Sequence, residues 1–328
     1  MGSPGGYRWY GPGILKLFDL APNKSLTLDQ LFRRLQPSLF DRDTIKRCLD
    51  QLIANDVLSI EGDVFTSRYP NFGEALNRYR PPSRSAYLSG LLTAGHEIMS
   101  GVPARYRSID STILALDDEH LEILRSSVAK RMAGFAAEPG TSVSYLNMEL
   151  FPLTRSGPPD SVSDHLVPAN NWMHAAFREL ILLPDFQPTA AWAKERLFFR
   201  VDQQAVSATM EHLVDTGNIV FNERSKSYSQ STPNVTTGSL VSGDAVVEYH
   251  KTVLKMTDLA GALLPTKELR LNSQILALST NGIESVIQDI NQFISELLDQ
   301  TSNVQKPRHV YQFNLQFFPI TKTDEEGI

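Results

Sequence analysis

A chain of 328 residues with 41% apolar residues and a formal charge of −6 can build ordinary globular cores, so composition excludes a disordered or fibrous protein. One cysteine, Cys48, excludes a disulfide framework and a thiolate zinc site, and no apolar run approaches the 18 residues of a membrane span. The charge is uneven: residues 1–163 hold 18 Lys+Arg against 18 Asp+Glu, and residues 164–328 hold 13 against 19. A cationic coat over the whole protein is thereby excluded, and any phosphate contact is expected from the first half or from local patches.

Residues 1–8 read as a flexible lead-in, with neither a charged region followed by an apolar one nor any other secretory signal, so a cytoplasmic protein is expected. A first helix is predicted over Gly13–Leu20. Thr27 then caps a second helix, with Gln30 three residues on to complete a capping box. Asp41 caps a third, in which Ile45, Leu49, Leu52 and Ile53 form one apolar stripe. Two short β-like runs follow, Val57–Ile60 and Val64–Thr66, around Glu61-Gly62-Asp63. Helix, capped helix, capped helix, hairpin is the winged-helix order.

Residues 72–86 read as a linker. A helix over Ser85–Ser100 stops at Pro103, the strand Ile113-Leu114-Ala115-Leu116 follows, and a charged helix over Asp118–Phe135 leads to an alternating strand with Leu146, Met148 and Leu150 on one side and Tyr145, Asn147 and Glu149 on the other.

The same series then recurs. Ile275-Leu276-Ala277-Leu278 repeats Ile113–Leu116 letter for letter, 162 positions on. Trp9 pairs with Trp172, Thr27 with Thr189, Asp41 with Asp202, Tyr87 with Tyr249 and Pro103 with Pro265. The stripe in the third helix recurs as Val206, Met210, Leu213 and Val214. Both copies end alike, Phe151-Pro152-Leu153-Thr154 against Phe318-Pro319-Ile320-Thr321.

The expected fold is therefore α+β: two tandem copies of a winged helix-turn-helix followed by an α-β-α-β unit. Copy one spans 9–156 (winged helix 9–70, α-β-α-β 84–155) and copy two spans 171–322 (winged helix 171–232, α-β-α-β 244–322). A linker, 157–170, joins them, and 323–328 is a tail. Two strands bury a sheet face poorly alone. The copies are expected to pool theirs into one four-stranded sheet with helices on one side, docked about a pseudo-twofold axis, as a pseudo-symmetric monomer.

Four stretches carry a family resemblance: Trp172–Leu180, the helix around Glu248-Tyr249-His250, Arg270…Ser273–Ser279, and Val310–Thr321. They resemble a bacterial family found in Bdellovibrio relatives and in Fibrobacter, with a C-terminal domain of unknown function. Its members are described as transcriptional regulators, on the strength of a separate N-terminal helix-turn-helix. The resemblance covers residues 171–322 and implies a regulatory role. The chain departs from the pattern, because a second copy of the domain stands where that DNA reader is expected.

Enzyme signatures are missing from the sequence. It holds no G-x-x-x-x-G-K-[ST], G-x-G-x-x-G, G-x-S-x-G or H-E-x-x-H, and its seven histidines show no metal-ligand spacing. The reading is a non-enzymatic protein with no catalytic residues, no metal and no cofactor. DNA contact is expected from copy one, where Arg42, Lys46 and Arg47 lie on the third helix and Arg33 and Arg34 on the second, since cations near phosphates drive binding to B-DNA. The third helix of copy two offers Gln203, Gln204, Ser207, Glu211 and His212 instead.

A second basic group, Arg68, Arg78, Arg80, Arg84, Arg105 and Arg107, occurs only in copy one; its Arg80…Arg84 spacing resembles a cyclic dinucleotide-binding arm. Three readings stay open on sequence alone: a DNA-binding regulator, a protein-interaction module on a winged-helix scaffold, and a sensor of a small anion. His250 reads as a packing residue beside Tyr249, and Asp117-Asp118-Glu119 as a helix N-terminus rather than a metal site.

Overall fold

The computed structural model describes residues 9–79, 84–135, 139–155, 171–232, 244–265, 268–301 and 304–322. The fold is α+β. The lead-in at 1–8, the joining segment 157–170 and the tail 323–328 lie outside the described residues.

The chain opens with helix α1 (Gly11–Leu20), strand β1 (Ser25–Thr27), helix α2 (Leu28–Arg34), helix α3 (Arg42–Ala54) and strands β2 (Leu58–Glu61) and β3 (Val64–Ser67). The local chemistry accounts for these boundaries. The Thr27 hydroxyl accepts from the Gln30 amide N–H at 3.2 Å, while Gln30 Oε1 accepts from the Thr27 N–H at 2.8 Å. Asp41 Oδ1 accepts from the Thr44 N–H at 2.6 Å and starts α3. Ile45, Leu49 and Leu52 are buried, with Cys48 beside them; Ile53 is only half-buried. Gly62, with φ of +64°, makes the β2–β3 turn.

Two elements depart from the sequence reading. Ser25–Thr27 joins the hairpin as a third antiparallel strand, in the order β1-β3-β2. The expected linker at 72–86 holds helix α4 (Phe72–Arg78), because Asn71 Oδ1 caps it through the Glu74 N–H at 3.0 Å and Ala75 is buried.

Helix α5 (Arg84–Gly101), strand β4 (Ser108–Leu116), helix α6 (Asp118–Gly134) and strand β5 (Pro139–Pro152) follow. Asp117 caps α6 as expected, accepting from the His120 N–H at 2.9 Å. The remaining elements are α7 (Asn171–Leu180), α8 (Ala190–Arg196), α9 (Gln203–Asp215), β6 (Ile219–Asn222), β7 (Ser227–Gln230), α10 (Asp244–Leu263), β8 (Arg270–Leu278), α11 (Thr280–Thr301) and β9 (His309–Pro319). Thr189 and Asp202 cap α8 and α9 through their side chains. In α9 the stripe is narrower than expected, since Val214 is exposed.

The centre of the molecule is a four-stranded antiparallel sheet in the order β4-β9-β5-β8, which alternates strands from the two halves. In the central pair Met148 faces Leu315. On the flanks Leu114 faces Tyr311, and Ser144 faces Leu276.

Beyond the sheet, each long strand runs on to meet the helical elements of the opposite half. The Gln36 N–H donates to the Ile320 carbonyl at 2.9 Å, and the Lys322 N–H to the Arg34 carbonyl at 2.8 Å, with Leu35 bridging Thr321. The Phe198 N–H donates to the Leu153 carbonyl at 2.7 Å, and the Arg155 N–H to the Arg196 carbonyl at 2.9 Å, with Thr154 bridging Leu197.

Helices cover both faces of this sheet, not one. Helices α6 and α11 pack on the side of Phe313, Leu315, Leu146 and Met148, with Phe293 of α11 lying 6.1 Å from Phe313 between ring centroids. Helices α1, α5, α7 and α10 lie on the other side. With helices expected on one side only, one face of this sheet would have been open, yet Tyr145, Asn147 and Glu149 are all buried. The reason is visible in the partners. Tyr145 donates its hydroxyl proton to the Trp9 carbonyl and accepts from the Gly13 N–H, both at 2.9 Å, and Asn314 donates to Thr257 of α10 at 2.9 Å. The helices that seal this face bring partners to Tyr145 and Asn314, but among the described residues leave the Asn147 side-chain amide and Glu149 Oε2 without one.

Candidate functional site

The five cations expected to meet DNA are all exposed on α2 and α3. Two of them converge on one residue: Arg33 Nε donates to the Asp29 carbonyl at 3.3 Å, and the Arg42 guanidinium pairs with the Asp29 carboxylate while lying 5.6 Å from the centroid of the Phe32 ring. Arg47 donates to the Thr44 hydroxyl at 3.1 Å. Lys46 and Arg34 extend from the same two helices. Exposed Asp43 and Asp50 interrupt the positive face of α3. On α9 the exposed residues include Gln203, Gln204, Ser207, Glu211 and His212.

The second arginine group is dispersed. Arg68 closes its own hairpin, pairing with Asp56 at 3.3 Å and donating to the Leu58 carbonyl at 3.4 Å. Arg78 is exposed in the last turn of α4, and Arg105 stacks over Tyr106 at 4.7 Å. Arg107 is half-buried and donates to the Val102 carbonyl at 2.9 Å; burial lowers its pKa. Arg80 lies outside the described residues, and Arg84 opens α5. Arg68, Arg105 and Arg107 thus each serve local structure with a different partner.

A cavity of about 260 Å3 opens where α7 and α9 meet β4 and α10. Its walls include Ser111, His174, Arg178, Glu179, His212 and Tyr249. Arg178 and Glu179 are buried to 5% and 8% exposure. Glu179 accepts from the Gln230 amide at 2.8 Å and from the Ala115 N–H. Burial pushes its carboxyl up to about 7, against the opposing pull of those donors and of the Arg178 charge. The His174 and His212 rings lie 4.7 Å apart, and burial, then the neighbouring His212, hold His174 below the usual imidazole range. Tyr249 sits 3.3 Å from the Ser111 hydroxyl.

Residues 163–320 match the family model described as Domain of unknown function (DUF4423). The match includes the cavity walls from α7, α9 and α10 but not Ser111 and Ile113 of β4. No curated protein and no solved structure matches the chain.

The cavity went unread in the sequence because its charged walls lie inside apolar patterning. Glu179 stands seven residues after Trp172, on the buried face of the predicted helix, and that position was the available signal. His250 is buried as a packing residue; burial, with Arg107 nearby, takes its imidazole down to about 4. Glu248 points away from it, exposed and paired with Lys251 at 2.5 Å. Among the described residues there is no cluster of three His, Cys, Asp or Glu that could hold a metal ion, and no helix long and apolar enough to cross a membrane.

Proposed function

We propose that this chain is a tandem duplicate in which two winged-helix units are held about a pseudo-twofold axis, and that it acts as a non-enzymatic regulator binding DNA through the first unit. Support for the duplication comes from register. Positions 113–116 and 275–278 are 162 apart, and 151–154 and 318–321 are 167 apart. Applying these shifts to the facing pair Leu114–Tyr311 yields Leu276–Ser144, which also face each other. Applying them to the bridge Leu35–Thr321 yields Leu197–Thr154, the other bridge. Registers need not agree in this way between unrelated strands, so a shared ancestor of the halves is the economical account.

The observation that carries DNA binding is the contrast between α3 and α9. Both are 13-residue helices capped by aspartate, with one face buried and the other exposed. Only α3 presents Arg42, Lys46 and Arg47, with Arg33 and Arg34 on the helix before it. Phosphate contacts need such cations, and each one lost lowers both affinity and the salt slope.

The test is fluorescence anisotropy with a labelled mixed-sequence duplex over a range of salt. Affinity should fall steeply with salt, and Lys46→Glu with Arg47→Glu should abolish binding, while Gln203→Glu with Gln204→Glu should leave it intact. Binding unaffected by the first pair removes the assignment. A protein partner on the same unit is the second reading, favoured by exposed Phe32 beside Arg42, by exposed Ile60 and Val64 on the hairpin, and by the acidic residues among the cations.

A further inference from the structure

We propose that the cavity between α7, α9, β4 and α10 is a binding site for a free amino acid, with the ligand's carboxylate held by Arg178, its ammonium by Glu179, and a short aliphatic side chain against Ile113, Ala175 and Leu213. Arg178 and Glu179 are neighbours whose opposite charges attract through space, but neither closes a direct ion pair among the described residues. Both are almost fully buried. Their hydrogen-bond partners are neutral: the Thr232 carbonyl for the guanidinium, and the Gln230 amide and Ala115 N–H for the carboxyl. Buried charges are normally paired, because desolvation without a partner is costly. A zwitterion supplies one counter-charge to each at once, where an amine or a carboxylate alone would leave the other without a direct partner.

Size and lining agree with that class. An apolar cavity of roughly 150 Å3 holds benzene. The space here is about 260 Å3, suited to a molecule somewhat larger, and its wall is apolar at Ile113, Ala175 and Leu213. His174, His212 and Tyr249 add polar atoms to the wall that can orient a ligand.

The first half provides an internal comparison, which rests on the duplication but not on DNA binding. At 163 positions back, Gly11, Leu15 and Lys16 stand where His174, Arg178 and Glu179 do. There the space is filled: a Cβ on Gly11 would lie 2.5 Å from the Tyr79 hydroxyl. Leu15 is buried without charge, and Lys16 is paired with Asp19 at 2.9 Å. At the matching positions of the first half, therefore, neither the void nor the buried pair of charges occurs.

The experiment is calorimetric titration and thermal shift on the full chain, without DNA, using a panel of free L-amino acids. Isopentylamine and 4-methylpentanoate serve as leucine counterparts that each carry one charge. At least one amino acid should bind and raise the melting temperature, with each single-charge counterpart at least tenfold weaker. Ala175→Trp, which fills the cavity while keeping both charges, should abolish binding. Glu179→Gln should weaken it at least tenfold and provides the same readout if the tryptophan variant does not fold. The proposal is overturned if no amino acid binds, if a single-charge counterpart binds as well as its parent, or if a folded variant of either kind binds as the parent chain does.

Discussion

Met148 of β5 stands directly opposite Leu315 of β9, and the two positions lie 167 apart, the same shift that lays Phe151–Thr154 on Phe318–Thr321. Under the proposed duplication, such a residue faces its own counterpart and marks the point through which the twofold axis would pass. Around it, on the face covered by α5 and α10, Asn147 faces Gln316 and Glu149 faces Asn314, all four almost fully buried. The sheet centre is therefore polar on one side and apolar on the other, and its polar side breaks symmetry where Glu149 answers to Gln316 and where Tyr145 answers to Gln312.

That difference predicts a pH effect. Burial raises the Glu149 carboxyl to about 8 from an ordinary value of 4.5. Folding then favours the protonated form, so its contribution is fully present below about pH 4.5 and is lost as pH rises to 8. The loss is on the order of 5 kcal/mol at about 1.36 kcal/mol per pH unit. Glu149→Gln, which copies the other half, should leave stability near the parent's at pH 4.5 and raise it at pH 9. Denaturant midpoints across that range read the difference; parallel curves for parent and variant would contradict a buried, uncompensated acid.

The opposite sign is expected at His250. Its imidazole is held near 4 by burial and the nearby Arg107. The unfolded chain takes up the proton first, so the contribution of this residue is full above about pH 6.5 and shrinks as pH falls toward 4. Ring chemical shifts of His250 should titrate near pH 4, and a midpoint near 6.5 would mean that the α10 face is open to water.

The exchanged arms predict matched losses. The Thr321 hydroxyl accepts from the Val143 N–H, and the Thr154 hydroxyl from the Val310 N–H, each at 2.9 Å. Thr321→Val and Thr154→Val each strand a buried backbone donor, a cost of about 1–3 kcal/mol. Chemical denaturation should return similar losses for the two variants. A loss at only one site would show that the two arms are not equivalent.

Local signals gave the elements their legibility. Thr27-x-x-Gln30 announced its capping box and Asp41 and Asp202 their helix starts, because capping chemistry acts within one turn. The repeat of Ile-Leu-Ala-Leu pointed to the strands that share a sheet with the other half's last strands. What stayed hidden depended on distant partners. Glu149 and Asn147 alternate with apolar residues as a solvated strand would, and only the packing of a second helical layer reveals that they are buried. Strand β1 is too short to announce itself, existing through its pairing with β3. The cavity needed Arg178 and Glu179 to be seen as buried charges, and a helical pattern alone reads charges as surface.

The central claim is that each half is a self-pairing unit, and the second half carries both strands and the arm that such pairing needs. Residues 163–328 expressed alone and measured by light scattering after size exclusion should form a folded dimer of twice the fragment mass, with β9 pairing against β9 of its partner around Leu315. A folded monomer of that fragment would contradict the account.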